Sequence, residues 1–168
     1  MLLLMIHFFA EVFHTMADGE HPDSDEQPLY TIEQVATRTS FTKRTLRYYE
    51  ELGLLLPAGR TEGNYRRYGE SDIQRLEYIK KLRDLLGFSL TDIGKLLEVR
   101  DERNQIKIAY KNETDAATRS AQLDRADELI RTQIQLIEQK LAGLEQMRAT
   151  LIEQLERHEQ KRKELLDT

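Results

Sequence analysis

Thr42-Lys43-Arg44-Thr45-Leu46-Arg47-Tyr48-Tyr49-Glu50-Glu51-Leu52-Gly53 reads as a short helix with both ends marked. Thr42 offers a hydroxyl to the free N–H groups of the first turn, and Gly53 suits the left-handed residue that follows a helix. Leu46 and Tyr49 fall on one side. Lys43, Arg44, Arg47 and Tyr48 put basic and aromatic groups elsewhere. Immediately upstream, Thr31-Ile32-Glu33-Gln34 is a capping box, and Ile32, Val35 and Ala36 give an apolar face to a helix ending near Arg38. The turn Thr39-Ser40-Phe41 separates the two. Two short helices joined by a tight turn, the second one basic, form the helix-turn-helix pattern.

Working outward, Leu54-Leu55-Leu56 reads as core and Pro57 as a stop. Gly63-Asn64 is a hairpin-type dipeptide with Arg60 before it and Tyr65, Arg66, Arg67 and Tyr68 after it, which predicts a two-stranded basic wing. The planar fork of Arg pairs charge with two donors and so suits phosphate. A Tyr ring packs on sugar while its hydroxyl reaches phosphate. Arg67, alternating with Arg66, also reads as a solvated strand position, and Lys80, Lys81 and Arg83 read as a solvated helix face rather than a groove contact. Ser71-Asp72-Ile73-Gln74 caps a third helix with Ile73, Leu76, Ile79, Leu82 and Leu86 inward, ending at Gly87. Ser89-Leu90-Thr91-Asp92 opens a fourth through Val99, with Ile93, Leu96 and Leu97 inward.

TLRYYEELGLL at 45–55, RTEGNYRRY at 60–68 and LGFSLTDIGKLL at 86–97 together resemble the DNA-binding domain of the MerR family of bacterial transcription regulators, over about residues 29–99. The resemblance implies that Thr42, Lys43, Arg44, Thr45, Arg47 and Tyr48 face the major groove and its phosphates. It implies wing contacts from Arg60, Tyr65, Arg66, Arg67 and Tyr68. Two departures stand out. Ser40 occupies a turn position where the family usually has Gly, a strained site for a side chain if the backbone is left-handed. The wing turn is Gly63-Asn64 where Asn-Gly is common.

Residues 100–119 are polar around a small apolar knot (Ile106, Ile108, Ala109, Tyr110) and read as a linker. From 120 to 166 there is no Pro and a single Gly, so one helix of roughly 70 Å is expected. Leu123, Ile130, Ile137, Leu144, Leu151 and Leu165 share a seven-residue repeat, and Ile134, Leu141 and Leu155 fill a second seam position. Asp127, Arg148, His158 and Arg162 interrupt the pattern. This is a coiled-coil stripe that requires a partner. The family resemblance supplies one, the same helix of a second subunit running antiparallel.

Composition sets the outer bounds. The 168 residues carry a net charge of -5, yet residues 38–67 hold seven bases against three acids. The acids cluster instead in residues 1–29, which carry Glu11, Asp18, Glu20, Asp23, Asp25 and Glu26 and no Lys or Arg. Met1–Phe13 is apolar but too short for a membrane span. It lacks the basic n-region of a signal peptide, and Met16 offers an ordinary start, so residues 1–28 are read as a disordered or arm-like leader. With no Cys, disulfides, thiolate metal sites and thiol redox sensing are excluded. The sequence holds no Gly-rich phosphate loop and no nucleophile paired with a His, so no catalytic residue, metal site or cofactor is expected and the protein is not read as an enzyme.

The expected protein is mainly α-helical, a winged helix-turn-helix domain followed by a dimerisation helix. The family implies a cytoplasmic, nucleoid-associated homodimer on a pseudo-palindromic promoter site, acting with RNA polymerase by distorting the promoter spacer. The large effector domain of some members is not expected, and any small-molecule effector is left unspecified. An architectural or recombination accessory DNA-bending protein, and a coiled-coil protein-interaction module, are the alternatives.

Overall fold

The computed structural model describes residues 29–166, so the leader read over 1–28 lies outside the described residues. The chain divides into two compact units, one running to Tyr78 and one from Ile79 onward. The elements are α1 (Ile32–Thr39), α2 (Lys43–Glu51), β1 (Gly59–Arg60), β2 (Arg66–Arg67), α3 (Glu70–Asp84), α4 (Leu90–Asn112) and α5 (Ala116–Leu166).

In the first unit the expected caps form. The Thr31 hydroxyl accepts from the Gln34 N–H while the Gln34 side chain accepts from the Thr31 N–H. At the end of α2, Gly53 is left-handed (φ 70°) and two bonds close the helix, Gly53 N–H to Glu50 O and Leu54 N–H to Tyr49 O. Ser40 does adopt the left-handed backbone, at φ 59° and ψ 25°. Val35, Phe41, Leu46, Tyr49, Leu54, Leu55, Ile73 and Leu76 make the core of this unit. Leu56, read as part of that core, is instead 68% exposed: it lies outside any helix or strand, and its neighbour Leu55 takes the buried place. The first turn of α3 is tied to α1 by Glu70, which accepts both terminal nitrogens of Arg38 (2.9 and 3.0 Å) and the Tyr30 hydroxyl. α3 begins at Glu70, one residue before Ser71, and its cap runs through Asp72, whose carboxylate accepts from the Gly69 N–H at 2.8 Å.

The second unit revises the expected linker. α4 continues past Val99 to Asn112, and only Glu113–Asp115 separates it from α5, which starts at Ala116 rather than 120. Residues 100–112 look like a linker because they are polar, but they contain neither Pro nor Gly and are rich in helix formers. α4 lies along the first half of α5. Arg103 donates to the Gln133 side chain at 3.0 Å and Arg125 pairs with Glu102 at 2.8 Å. Asp115 caps α5, accepting from both the N–H and the hydroxyl of Thr118.

Candidate nucleic-acid interface

The presentation of α2 follows from its two sides. Leu46 and Tyr49 are fully buried, with the Phe41 ring edge-on to Tyr49 at 5.5 Å. Burying that face turns the rest of the helix outward. Arg44, Arg47 and Tyr48 are exposed, Tyr48 at 48%. Lys43 is exposed too but reaches back to Glu33 at 3.1 Å. That hydrogen bond holds the Glu33 carboxyl below its ordinary range, and both partners are open enough to water for a phosphate to displace it. Thr42 and Thr45 are partly committed to the helix start: the Thr42 hydroxyl accepts the Thr45 N–H at 3.0 Å and meets the Thr45 hydroxyl at 2.8 Å.

The wing is an antiparallel hairpin in which Gly59 faces Arg67 and Arg60 faces Arg66. Its tip is a tight turn in which Asn64 N–H bonds to Thr61 O, followed by Thr61 N–H to Tyr65 O. Asn64, not Gly63, takes the left-handed conformation (φ 62°), a position Asn tolerates better than most residues. A Cβ on Gly63 would stand 3.0 Å from the Tyr65 ring, so that exposed ring would have to shift slightly to admit one. Arg60 is steadied by donating to the Asn64 side chain at 2.8 Å. Tyr65 projects, 75% exposed.

One side chain joins the wing to α2. Glu50 Oε2 pairs with Arg66 Nε at 2.5 Å, and its Oε1 accepts from the Tyr68 hydroxyl. This corrects the expectation for Tyr68. Its ring is fully buried, its backbone pairs with Tyr30, and its hydroxyl faces Glu50, so it is a core residue and not a wing contact. Burial, with the neighbouring Glu50 carboxylate, raises its pKa well above the ordinary phenol value. Period-two alternation carries the signal in hindsight. Tyr68 shares a strand face with Arg66, which turns toward α2, whereas Arg67 takes the other face. The first unit thus gathers Arg44, Arg47, Tyr48, Arg60, Tyr65 and Arg66 around one linked helix and hairpin, with Arg67 half-buried beside them.

The second unit carries a different surface. Leu123, Ile130, Ile134, Ile137, Leu141, Leu144, Leu151 and Leu155 on α5 are all exposed, by 37% to 65%. A second stripe, one position round the helix, was not singled out in the sequence. Gln122, Ala126, Leu129, Gln133, Leu136 and Lys140 recur at intervals of four and three and are buried or half-buried, Leu129 most completely. The spacing of Ala126, Leu129 and Leu136 was the available signal. Lys140 closes this stripe by donating to Gly87 O at 2.5 Å above the Phe88 ring. From 141 to 166 every residue is exposed. Among the described residues there is no helix long and apolar enough to cross a membrane and no cluster of three metal-ligating side chains.

A family model described as MerR HTH family regulatory protein matches residues 30–99. Over 120 residues the chain is 34% identical to the HTH-type transcriptional regulator YfmP of Bacillus subtilis (strain 168), covering 71% of this chain and 86% of that protein. It is 34% identical over 117 residues to Heavy metal-dependent transcription regulator 2 of Rhizobium meliloti (strain 1021), covering 69% and 68% respectively. The HTH-type transcriptional regulator ZntR of Escherichia coli (strain K12) is 44% identical over 72 residues, which is 43% of this chain and 50% of ZntR.

Proposed function

Because this chain belongs to the MerR HTH family of DNA-binding transcription regulators, we propose that it binds a pseudo-palindromic promoter site as a homodimer and controls transcription by distorting the promoter spacer. The observation that supports this reading is that α2, with exposed Arg44 and Arg47, and the basic wing lie in one unit and are joined by the Glu50–Arg66 ion pair. A helix with exposed Arg44 and Arg47 suits a major groove. A hairpin with Arg60, Arg66 and Arg67 suits the flanking phosphates.

Two readers need a means of pairing, and the exposed apolar stripe of α5 supports an antiparallel coiled coil with a second copy. The two-fold axis then calls for half-sites spaced by about 34 Å or a multiple of it. RNA polymerase is the partner at the promoter. Bending and untwisting the spacer would set how well it engages both promoter elements, so that deformation energy carries the control. The heavy-metal dependence named for one relative is not proposed here through thiolates, because this chain has no Cys. Its activity is set by its expression level, by a partner, or by a small ligand held near α4 and α5.

The test is in-vitro transcription from a promoter recovered by genome-wide footprinting, alongside binding of the full chain to that DNA across a salt series. Salt-sensitive binding with altered transcript yield supports the proposal. Salt-sensitive binding with no change in transcription would assign an architectural DNA-bending role. No salt-dependent binding would leave a coiled-coil interaction module.

A further inference from the structure

We propose that Glu50 is a positioning residue for DNA binding: its carboxylate fixes the wing to α2 and so sets the direction in which Arg66 is offered to the duplex. This rests on the reading of α2 and the wing as the DNA-binding surface.

The wing holds two strands of two residues each. A hairpin of that size has too little buried surface to keep its own geometry, so its orientation must come from what it is fastened to. Two fastenings lie on β2 and its continuation. Tyr68 is buried and pairs its backbone with Tyr30, through Tyr30 N–H to Tyr68 O at 2.7 Å and Tyr68 N–H to Tyr30 O at 3.0 Å. Arg66, two residues earlier on the same strand face, reaches Glu50 in the last turn of α2. Both side chains converge on one carboxylate, with one oxygen to each.

Glu50 is itself sheltered, its side chain 9% exposed, while Arg66 is 41% exposed. A sheltered carboxylate without a cationic partner is costly, so Arg66 is held in place rather than left to sample rotamers. The guanidinium is a flat fork. Its Nε edge is given to Glu50, and its terminal N–H groups remain for a second acceptor. A phosphate meeting a guanidinium already fixed in direction avoids the ordering cost that a free Arg would incur. Through the same contact, any rotation of α2 is carried into the wing, so the helix and the hairpin read the duplex as one body.

Glu50 therefore acts through Arg66. The test compares full-length wild type, E50Q, R66A, the E50Q/R66A double variant and Y68F on a duplex selected from a random library by the wild-type chain. Fluorescence anisotropy gives affinity, hydroxyl-radical footprinting gives the protected positions, and thermal unfolding gives stability. Gln at 50 still accepts from the Tyr68 hydroxyl but loses the charge on Arg66. E50Q is expected to weaken binding about tenfold, the scale of losing the ion pair that holds one phosphate-facing arginine. Its footprint loses the outer, wing-protected positions and keeps those of α2. The double variant binds no more weakly than R66A alone. Y68F, which removes the other partner of the same carboxylate, is expected to lower stability and leave affinity within about twofold. If E50Q does not fold, E50D is used instead; it keeps the charge but draws it back by one methylene, and the same selective loss of the wing footprint is expected.

Unchanged or tighter binding by E50Q overturns the proposal, as does additivity between E50Q and R66A. Equal affinity losses in E50Q and Y68F also overturn it, because Glu50 would then act only through stability. If R66A itself binds as wild type, the DNA role of the wing falls and this inference falls with it, whereas loss in R66A but not in E50Q refutes the role of Glu50 alone.

Discussion

α2 and α5 are built on opposite terms. α2 is nine residues long, closed at both ends, with its apolar side buried inside its own unit. What it leaves outside is Arg44, Arg47 and Tyr48. α5 is fifty-one residues long, buries one stripe against α4, and leaves outside a row of Leu and Ile. A unit whose core is complete can expose charge, and exposed arginines call for a polyanion. A helix whose apolar surface exceeds what its own chain can cover calls for another apolar helix. On the reading proposed above, the difference separates a surface suited to DNA from one suited to a second copy.

The largest effect should come from breaking the α5 side of this comparison. Ile137→Asp places a charge in the exposed stripe. We expect sedimentation velocity to show dimer for wild type and monomer for this variant, and operator affinity to fall about a hundredfold as the two half-sites cease to be held together. Retained dimer would assign pairing to another surface. The two stripes of α5 should also come apart by mutation. Leu129→Ala should lower stability to urea by about 2–3 kcal/mol through the cavity left against α4. Leu123→Ala should leave the isolated fold unchanged and weaken self-association only. Equal effects in both assays would mean the two stripes are one surface.

On the α2 side, Arg47→Ala should lower operator affinity about tenfold or more and reduce the salt slope by about one, with the far-ultraviolet circular dichroism unchanged. An unaltered salt slope would remove Arg47 from the phosphate contacts. The smallest effect is expected at the turn before α2. Ser40→Gly relieves a left-handed serine and should raise stability by about 0.5–1 kcal/mol in a denaturant titration, the gain partly offset by the freer unfolded chain. A loss of stability would show that the Ser40 side chain makes a contact worth more than the strain.

Much of this was legible from local chemistry. The Thr31 capping box, the Thr42 cap, Gly53 and the buried pair Leu46 and Tyr49 are each set within a few residues, and the helix-turn-helix follows from them. The exposed stripe of α5 is legible because a heptad repeat runs unbroken from Leu123 to Leu151, four heptads or about eight helical turns. Tyr68 was misread because a Tyr beside arginines carries the same letters whether it faces DNA or the core, and only Glu50, 18 residues away, distinguishes the two. The extent of α4 was missed because its support comes from α5, through contacts such as Arg103 with Gln133 and Glu102 with Arg125, 30 and 23 residues apart.

Sequence alone determined the helices, their order, the family and the residue types offered to DNA, because caps, turns and apolar periods act over less than two helical turns. Tertiary structure decided which of those residues are free to act. It withdrew Tyr68 into the core, bound Arg66 to Glu50 and lengthened α4. It also divided the apolar surface of α5 between α4 and the outside, since burial and pairing depend on residues far apart in the chain that only the folded backbone brings within a few ångströms of one another.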